Sequence, residues 1–120
     1  NGVMLAVAAG IAESNGLTKV LIANHGGDHT IYPDCRPEFI AAMDAAVEAG
    51  TFARVRVVAP YTNISKADIA RRGRALGIDY AETWSCYKGG HVHCGTCGTC
   101  VERKEALREA GIEDNTTYQS

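Results

Sequence analysis

Residues 19–24 read Lys-Val-Leu-Ile-Ala-Asn, a short apolar run with no charge after Lys19. A run of this length that does not alternate predicts a strand buried on both faces, as in a parallel sheet. His25 to Asp34 follow, rich in Gly, His and Asp, and read as a loop. Pro37 suits the first turn of a helix, with Asp34 as a candidate N-cap. Phe39, Ile40, Met43, Ala46 and Val47 then keep a helical stripe as far as Gly50. Residues 54–59, carrying Val55, Val57 and Val58, predict a second strand. Strand, helix and strand in about forty residues make a βαβ crossover, which lays the two strands parallel.

Working outward, Val3 to Ala12 are apolar or small on every side, which predicts a helix over 3–14 buried on more than one face. Ser65-Lys66-Ala67-Asp68 resembles a capping box and opens a helix that Gly77 closes. Ile69, Gly73 and Leu76 mark its packing side, and Arg71, Arg72 and Arg74 its solvated face. A last helix runs from Cys97 to Ala110 with Gly111 as its stop, and the polar tail 113–120 is expected to be loose. The expectation is one domain over 1–120: an α/β part at 1–80, a metal-binding motif with its helix at 81–112, and the tail.

The 120 residues are 46% hydrophobic and 22% charged with a formal charge of −2, which suits a globular domain and not a general nucleic-acid binder. No apolar run of about 18 residues is present, so no membrane helix is expected. Neither a basic n-region nor a cleavage site opens the sequence. Together with cysteines spaced for metal, this predicts a cytoplasmic protein. The chain begins Asn-Gly-Val-Met-Leu-Ala-Val, apolar almost at once, and reads as the C-terminal portion of a longer chain.

Four of the five cysteines fall between Cys86 and Cys100, in Cys-Tyr-Lys-Gly-Gly-His-Val-His-Cys-Gly-Thr-Cys-Gly-Thr-Cys. The spacing C-x7-C-x2-C-x2-C brings three thiols together over two-residue gaps and a fourth across a Gly/His loop. Cys86, Cys94, Cys97 and Cys100 therefore predict a closed tetrahedral site for one structural Zn²⁺, with no position open for a catalytic water. An iron–sulfur cluster accepts the same spacing but would absorb visible light. His91 and His93 lie inside the loop and could replace a thiolate, although four cysteines already complete the shell.

The loop after the first strand is where open parallel sheets bind ligands. Tyr32, Asp34 and Arg36 place an aromatic, an acid and a cation there, and Arg36 could grip a phosphate or carboxylate by its fork. The plainer alternative makes Asp34 only a cap and Arg36 only a surface charge. Lys66 is a further candidate phosphate contact. Cys35 reads as a small buried hydrophobe rather than a nucleophile.

Tyr-Pro-Asp-Cys-Arg-Pro-Glu-Phe-Ile at 32–40, Ile-Ser-Lys-Ala-Asp-Ile at 64–69, Glu-Thr-Trp-Ser-Cys-Tyr at 82–87 and Cys-Gly-Thr-Cys-Gly-Thr-Cys at 94–100 together resemble the QueC family of 7-cyano-7-deazaguanine synthases. The resemblance covers essentially the whole chain. It implies a Rossmann-like, adenine nucleotide α-hydrolase-like fold and a zinc held by the four cysteines. It implies an ATP- and Mg²⁺-dependent ligase that adenylates 7-carboxy-7-deazaguanine, takes up ammonia and dehydrates the amide to the nitrile preQ0, for queuosine and related deazapurines. It also implies a homodimer, and neither nucleic acid nor membrane as a direct partner. The Ser-Gly-Gly-x-Asp-Ser pyrophosphate loop of that family is missing, and His25-Gly26-Gly27-Asp28 does not replace it. The fragment alone is thus expected to be inactive, with the front half supplied by the longer chain or by a separate one. Residues 24–31, Asn-His-Gly-Gly-Asp-His-Thr-Ile, also depart from the family's Asp-Tyr-Ser-Gly-like loop, which leaves a related deazapurine carboxylate open as substrate. Two other functions fit the same residues: another ATP-pyrophosphatase-type enzyme that amidates or thiolates tRNA, and a zinc-stapled module without catalysis.

Overall fold

Strands β1 (Lys19–Leu21) and β2 (Arg56–Val58) pair in parallel, with Lys19 opposite Arg56, Val20 opposite Val57 and Leu21 opposite Val58. The computed structural model describes residues 1–119. Among these the sheet has two strands, so the parallel α/β expectation holds. The crossover carries α2 (Pro37–Gly50), with the bounds the apolar stripe and its flanking Pro and Gly predict. Helix α1 (Gly2–Ser14) precedes β1; α3 (Lys66–Ala75) and α4 (Gly98–Ala110) follow β2. The chain divides into two compact units, one ending at Ser65 and one starting at Lys66. No helix among the described residues is long and apolar enough to cross a membrane.

The first unit is built around Leu5, Ala9 and Ala12 of α1, Ile40 and Val47 of α2, and Val55 and Val57 at β2. Asp44 ties α2 to β2: its Oδ1 accepts from Arg56 Nε at 2.9 Å and from the Val57 N–H at 2.8 Å, and its Oδ2 from Arg56 Nη2 at 2.5 Å. The Arg56 hydrogen bond outweighs partial burial and holds the Asp44 carboxyl below its usual range. Its stabilisation is therefore present above the unfolded carboxyl pKa and fades as pH falls through the lower folded value. Asp44→Ala should lower the unfolding free energy by about 1–3 kcal/mol, because a strand N–H loses its acceptor as well as the ion pair. Urea unfolding at neutral pH checks this, and an unchanged midpoint would refute it.

Two expectations of burial fail in this unit. Helix α1 covers one stripe, while Val3, Met4, Val7 and Ile11 are 58–81% exposed. Strand β1 is not sandwiched either, since Leu21 is 69% exposed. Both segments have the composition of doubly covered elements, but the first unit supplies cover on one side. Asp34 is not the cap of α2. It sits in a 3-10 turn, Pro33–Cys35, and Arg36 occupies the N-cap without a side-chain bond.

In the second unit, α3 buries Ala67, Ala70 and Gly73 and leaves Leu76 80% exposed, so its packing face lies one step round from the Ile69–Leu76 side. Tyr80 is the cause. Its Oη donates to the Ala70 carbonyl at 2.7 Å and would lie 2.2 Å from a β-carbon at position 73. Gly73→Ala should therefore displace the Tyr80 ring and cost about 1–3 kcal/mol, the range of overpacked cores. A melting temperature equal to that of the parent would count against this packing. The arginine face of α3 is solvated as expected, with Arg71 Nη1 on Asp68 at 2.5 Å and Nη2 on the Glu109 carbonyl at 2.6 Å.

Candidate metal centre

Helix α4 starts with Cys97 at its N-cap, places Cys100 in its first turn, and ends at Gly111 in the left-handed conformation. The turn before it, Cys94-Gly95-Thr96-Cys97, folds back on the Cys94 sulfur. The Thr96 and Cys97 N–H groups donate to Cys94 Sγ at 3.4 and 3.3 Å. Gly95 permits that fold with φ of +74°, and a β-carbon there would press on Lys104 Nζ at 3.2 Å. Across the loop, the Cys94 N–H donates to Cys86 Sγ at 3.4 Å.

The four sulfurs of Cys86, Cys94, Cys97 and Cys100 lie within 4.8 Å of one another, and the cluster could hold a metal ion. Cys86, Cys94 and Cys100 are buried. A tetrahedral zinc with Zn–S of about 2.3 Å requires sulfurs about 3.8 Å apart. Cys94 Sγ and Cys100 Sγ are 3.9 Å apart, so the spacing of this pair fits the ion. The spacing of the cysteines thus brings the four thiols together into a cluster that could hold a metal ion.

Electrostatics divides the four. The Thr99 hydroxyl, then the Tyr87 and Cys100 N–H groups, hold the Cys97 thiol down at about 5. Cys94 falls to about 7, chiefly through the Thr96 N–H. Burial, with the Cys97 hydrogen bond, pushes Cys100 up to about 12. A depressed thiol stabilises the fold fully above its unfolded value and loses that contribution as pH falls through the folded value. Metal retention against a competing chelator should therefore weaken steeply between about pH 7 and pH 5, where protons claim Cys94 and then Cys97. Retention that stays level across that interval would contradict the assignment of these thiols as ligands.

The two histidines differ. His91 is exposed. His93 is 3% exposed, and its Nε2 accepts the Ser85 N–H at 3.2 Å while its ring lies 4.3 Å from that of Trp84 and 5.7 Å from that of Tyr118. It props the metal loop by packing. Trp84 Nε1 donates to the Cys86 carbonyl at 2.9 Å. Residues 113–119 of the tail are not loose. Tyr118 forms a parallel bridge with His93, the Gln119 N–H donates to the His93 carbonyl at 2.8 Å, and Thr116 is buried. Composition alone hid this, because a polar tail held by side-chain bonds carries no apolar signal.

In the first unit, the loop after β1 gathers Tyr32, Asp34, Arg36 and Cys35. Asn1 Nδ2 donates to the Asp34 carbonyl at 3.0 Å. Arg36 Nε donates to the His29 carbonyl at 2.8 Å, and Tyr32 is 52% exposed. Burial, and secondarily the Asp28 charge, pushes the Cys35 thiol up, and Asn24 Nδ2 anchors the Cys35 carbonyl at 2.7 Å. The sequence reading passed over one pairing in this loop. His25 accepts the Gly27 N–H on Nδ1 at 3.1 Å and faces Asp28 Oδ2 with Nε2 at 3.2 Å. Lys66, at the start of the second unit, pairs with Glu102 at 2.5 Å.

Residues 1–111 match the family model described as queuosine biosynthesis protein QueC. The chain belongs to the QueC family. Its 7-cyano-7-deazaguanine synthase relative in Porphyromonas gingivalis is 68% identical over 119 residues, which is 99% of this chain and 54% of that protein. The synthase of Desulfotalea psychrophila is 53% identical over 118 residues, 98% of this chain and 54% of that protein. That of Rhizobium etli is 53% identical over 121 residues, 99% of this chain and 51% of that protein. The chain thus spans about half the length of the curated QueC relatives it matches.

Proposed function

We propose that this chain is the metal-bearing part of a 7-cyano-7-deazaguanine synthase with a Rossmann-like fold. The observation that carries the reading is the identity of 68% across 99% of the chain to a protein of that name. The activity converts 7-carboxy-7-deazaguanine and ammonia to the nitrile. A carboxylate is a poor electrophile, so ATP turns one of its oxygens into a leaving group, ammonia displaces the adenylate, and a second activation removes the amide oxygen. Mg²⁺ would neutralise the phosphates. Zn²⁺ at Cys86, Cys94, Cys97 and Cys100 would supply no open coordination site, so its part is to fix the fold.

Tyr32, Asp34 and Arg36 are proposed to face substrate, and Lys66 is proposed separately as a substrate contact. Arg36 supports this best: its half-buried guanidinium is held in the loop after β1 through Nε on the His29 carbonyl. The tRNA-thiolating alternative needs Cys35 as a thiolate, and the raised thiol argues against it. A homodimer in the cytoplasm rests on the family likeness. The test is the full-length protein with 7-carboxy-7-deazaguanine, ammonia and ATP, followed by mass spectrometry. The nitrile should form only when all three are present. ATP turnover indifferent to the deazapurine would sink the reading.

A further inference from the structure

The match to the family model ends at residue 111, yet Tyr118, beyond it, packs against Cys86, Cys94 and Cys100. We infer that Tyr118 and Lys104 form a latch on the metal loop, and that docking of residues 113–119 sets how fast the cluster exchanges its metal ion. The latch acts on the metal and is independent of the deazapurine chemistry.

The latch closes on the turn Cys94-Gly95-Thr96-Cys97. Lys104, on α4, donates from Nζ to the Gly95 carbonyl at 3.0 Å. That carbonyl belongs to the Gly95–Thr96 peptide, whose N–H donates to Cys94 Sγ at 3.4 Å. The ammonium thus polarises the donor that faces the sulfur, since hydrogen bonds in a chain strengthen one another. It also brings positive charge to a dianion, because four thiolates outnumber the two charges of one Zn²⁺.

Tyr118 holds the lysine there. Lys104 Nζ lies 4.1 Å from the centre of the Tyr118 ring, a cation–π contact. The same side chain covers Gly95: a β-carbon at position 95 would lie 3.4 Å from Tyr118 Cβ and Cδ1. Tyr118 also meets the His93 ring edge-on at 5.7 Å and forms a parallel bridge with His93, whose carbonyl accepts the Gln119 N–H at 2.8 Å. His93 in turn accepts the Ser85 N–H, next to Cys86, so the tail bears on the segments that carry both Cys86 and Cys94. Asp114 pins the tyrosine by accepting from its Oη at 2.6 Å. A chain end opens at a smaller free energy than the core it covers. With Cys86, Cys94 and Cys100 buried, a competing ligand reaches their sulfurs through such an opening.

Zinc release from the full-length, zinc-loaded protein to an excess of chromogenic chelator tests the latch, in the parent, Tyr118→Ala, Tyr118→Phe and Lys104→Gln. Tyr118→Ala and Lys104→Gln should each release zinc about tenfold faster, within the range for partners that stand behind metal ligands. Tyr118→Phe keeps the ring and should release nearly as slowly as the parent. Lys104 is exposed, so Lys104→Gln keeps the fold and decides the matter should Tyr118→Ala fail to fold. The rate of global unfolding in urea, read by circular dichroism on the same samples, separates a latch from plain stability. Release that accelerates while unfolding does not is the expected result. Release at the parent's rate in either Tyr118→Ala or Lys104→Gln, release that only tracks unfolding, or a Tyr118→Phe protein as fast as Tyr118→Ala would overturn the latch, as would a parent that holds no zinc.

Discussion

Replacing Cys97 with serine in the full-length protein should reduce its metal content from one ion per chain to none. The melting temperature should fall by roughly 10 °C or more, since the binding energy of a structural ion is folding energy. Serine makes this a sharp test. Cys97 is the N-cap of α4 and its side chain makes no capping bond, whereas serine is among the best residues for that position. A purely local role for Cys97 therefore predicts a neutral or slightly stabilising change. A role as ligand predicts a large loss, because Cys86, Cys94 and Cys100 would be left as a buried incomplete shell. The same logic fixes the chelator result. A strong chelator should lower the melting temperature of the parent to that of the variant and leave the variant where it is. Elemental analysis should find zinc and the protein should be colourless; visible absorption together with iron would transfer the site to an iron–sulfur cluster. A variant that melts like its parent would show that the cluster is not a staple.

How much of this was legible in the sequence depends on the range of the interaction. The parallel β1–β2 pair and α2 follow from local pattern, since a four-residue apolar run, a Pro-led stripe and a closing Gly carry their own instructions. The four-thiol cluster follows from spacing alone, because two-residue gaps bring sulfurs together whatever surrounds them. What escaped was set by distant partners. Leu21 and the Val3–Ile11 side of α1 have the composition of buried surface, and composition cannot say which faces a unit covers. The packing face of α3 was misplaced because Tyr80, seven residues past Gly73, sits against it. His93 was weighed as a ligand because histidine beside cysteine suggests coordination; the Ser85 N–H and the Trp84 ring instead claim it. In the loop after β1 the residues are close in sequence, so their proximity in space adds little.

Arg103→Lys should destabilise the second unit by about 3 kcal/mol, although it keeps the charge. Arg103, on α4, ties the 3-10 turn at Tyr80–Glu82 and its C-cap Thr83 to Thr116 of the tail. Nη1 donates to Thr83 Oγ1 at 2.8 Å, and Nε and Nη2 donate to Thr116 Oγ1 at 3.1 and 2.8 Å. Nη2 also reaches the Tyr80 carbonyl. A guanidinium spans these acceptors because its donors diverge in one plane; an ammonium on a single carbon stem cannot reach all three. Thr116 is buried, so its hydroxyl would lose its partner out of reach of water. The tail should then release. Amide exchange at Gln119, whose N–H is held by the His93 carbonyl at 2.8 Å, should accelerate more than exchange inside α4. Thr116→Ala in the same protein separates the causes. If the fork is the source of the stability, Arg103→Lys should cost much less in the Thr116→Ala background than in the parent, and the difference is their coupling energy. Additive effects would mean that Arg103 acts through its charge alone, and the tail would then need another anchor.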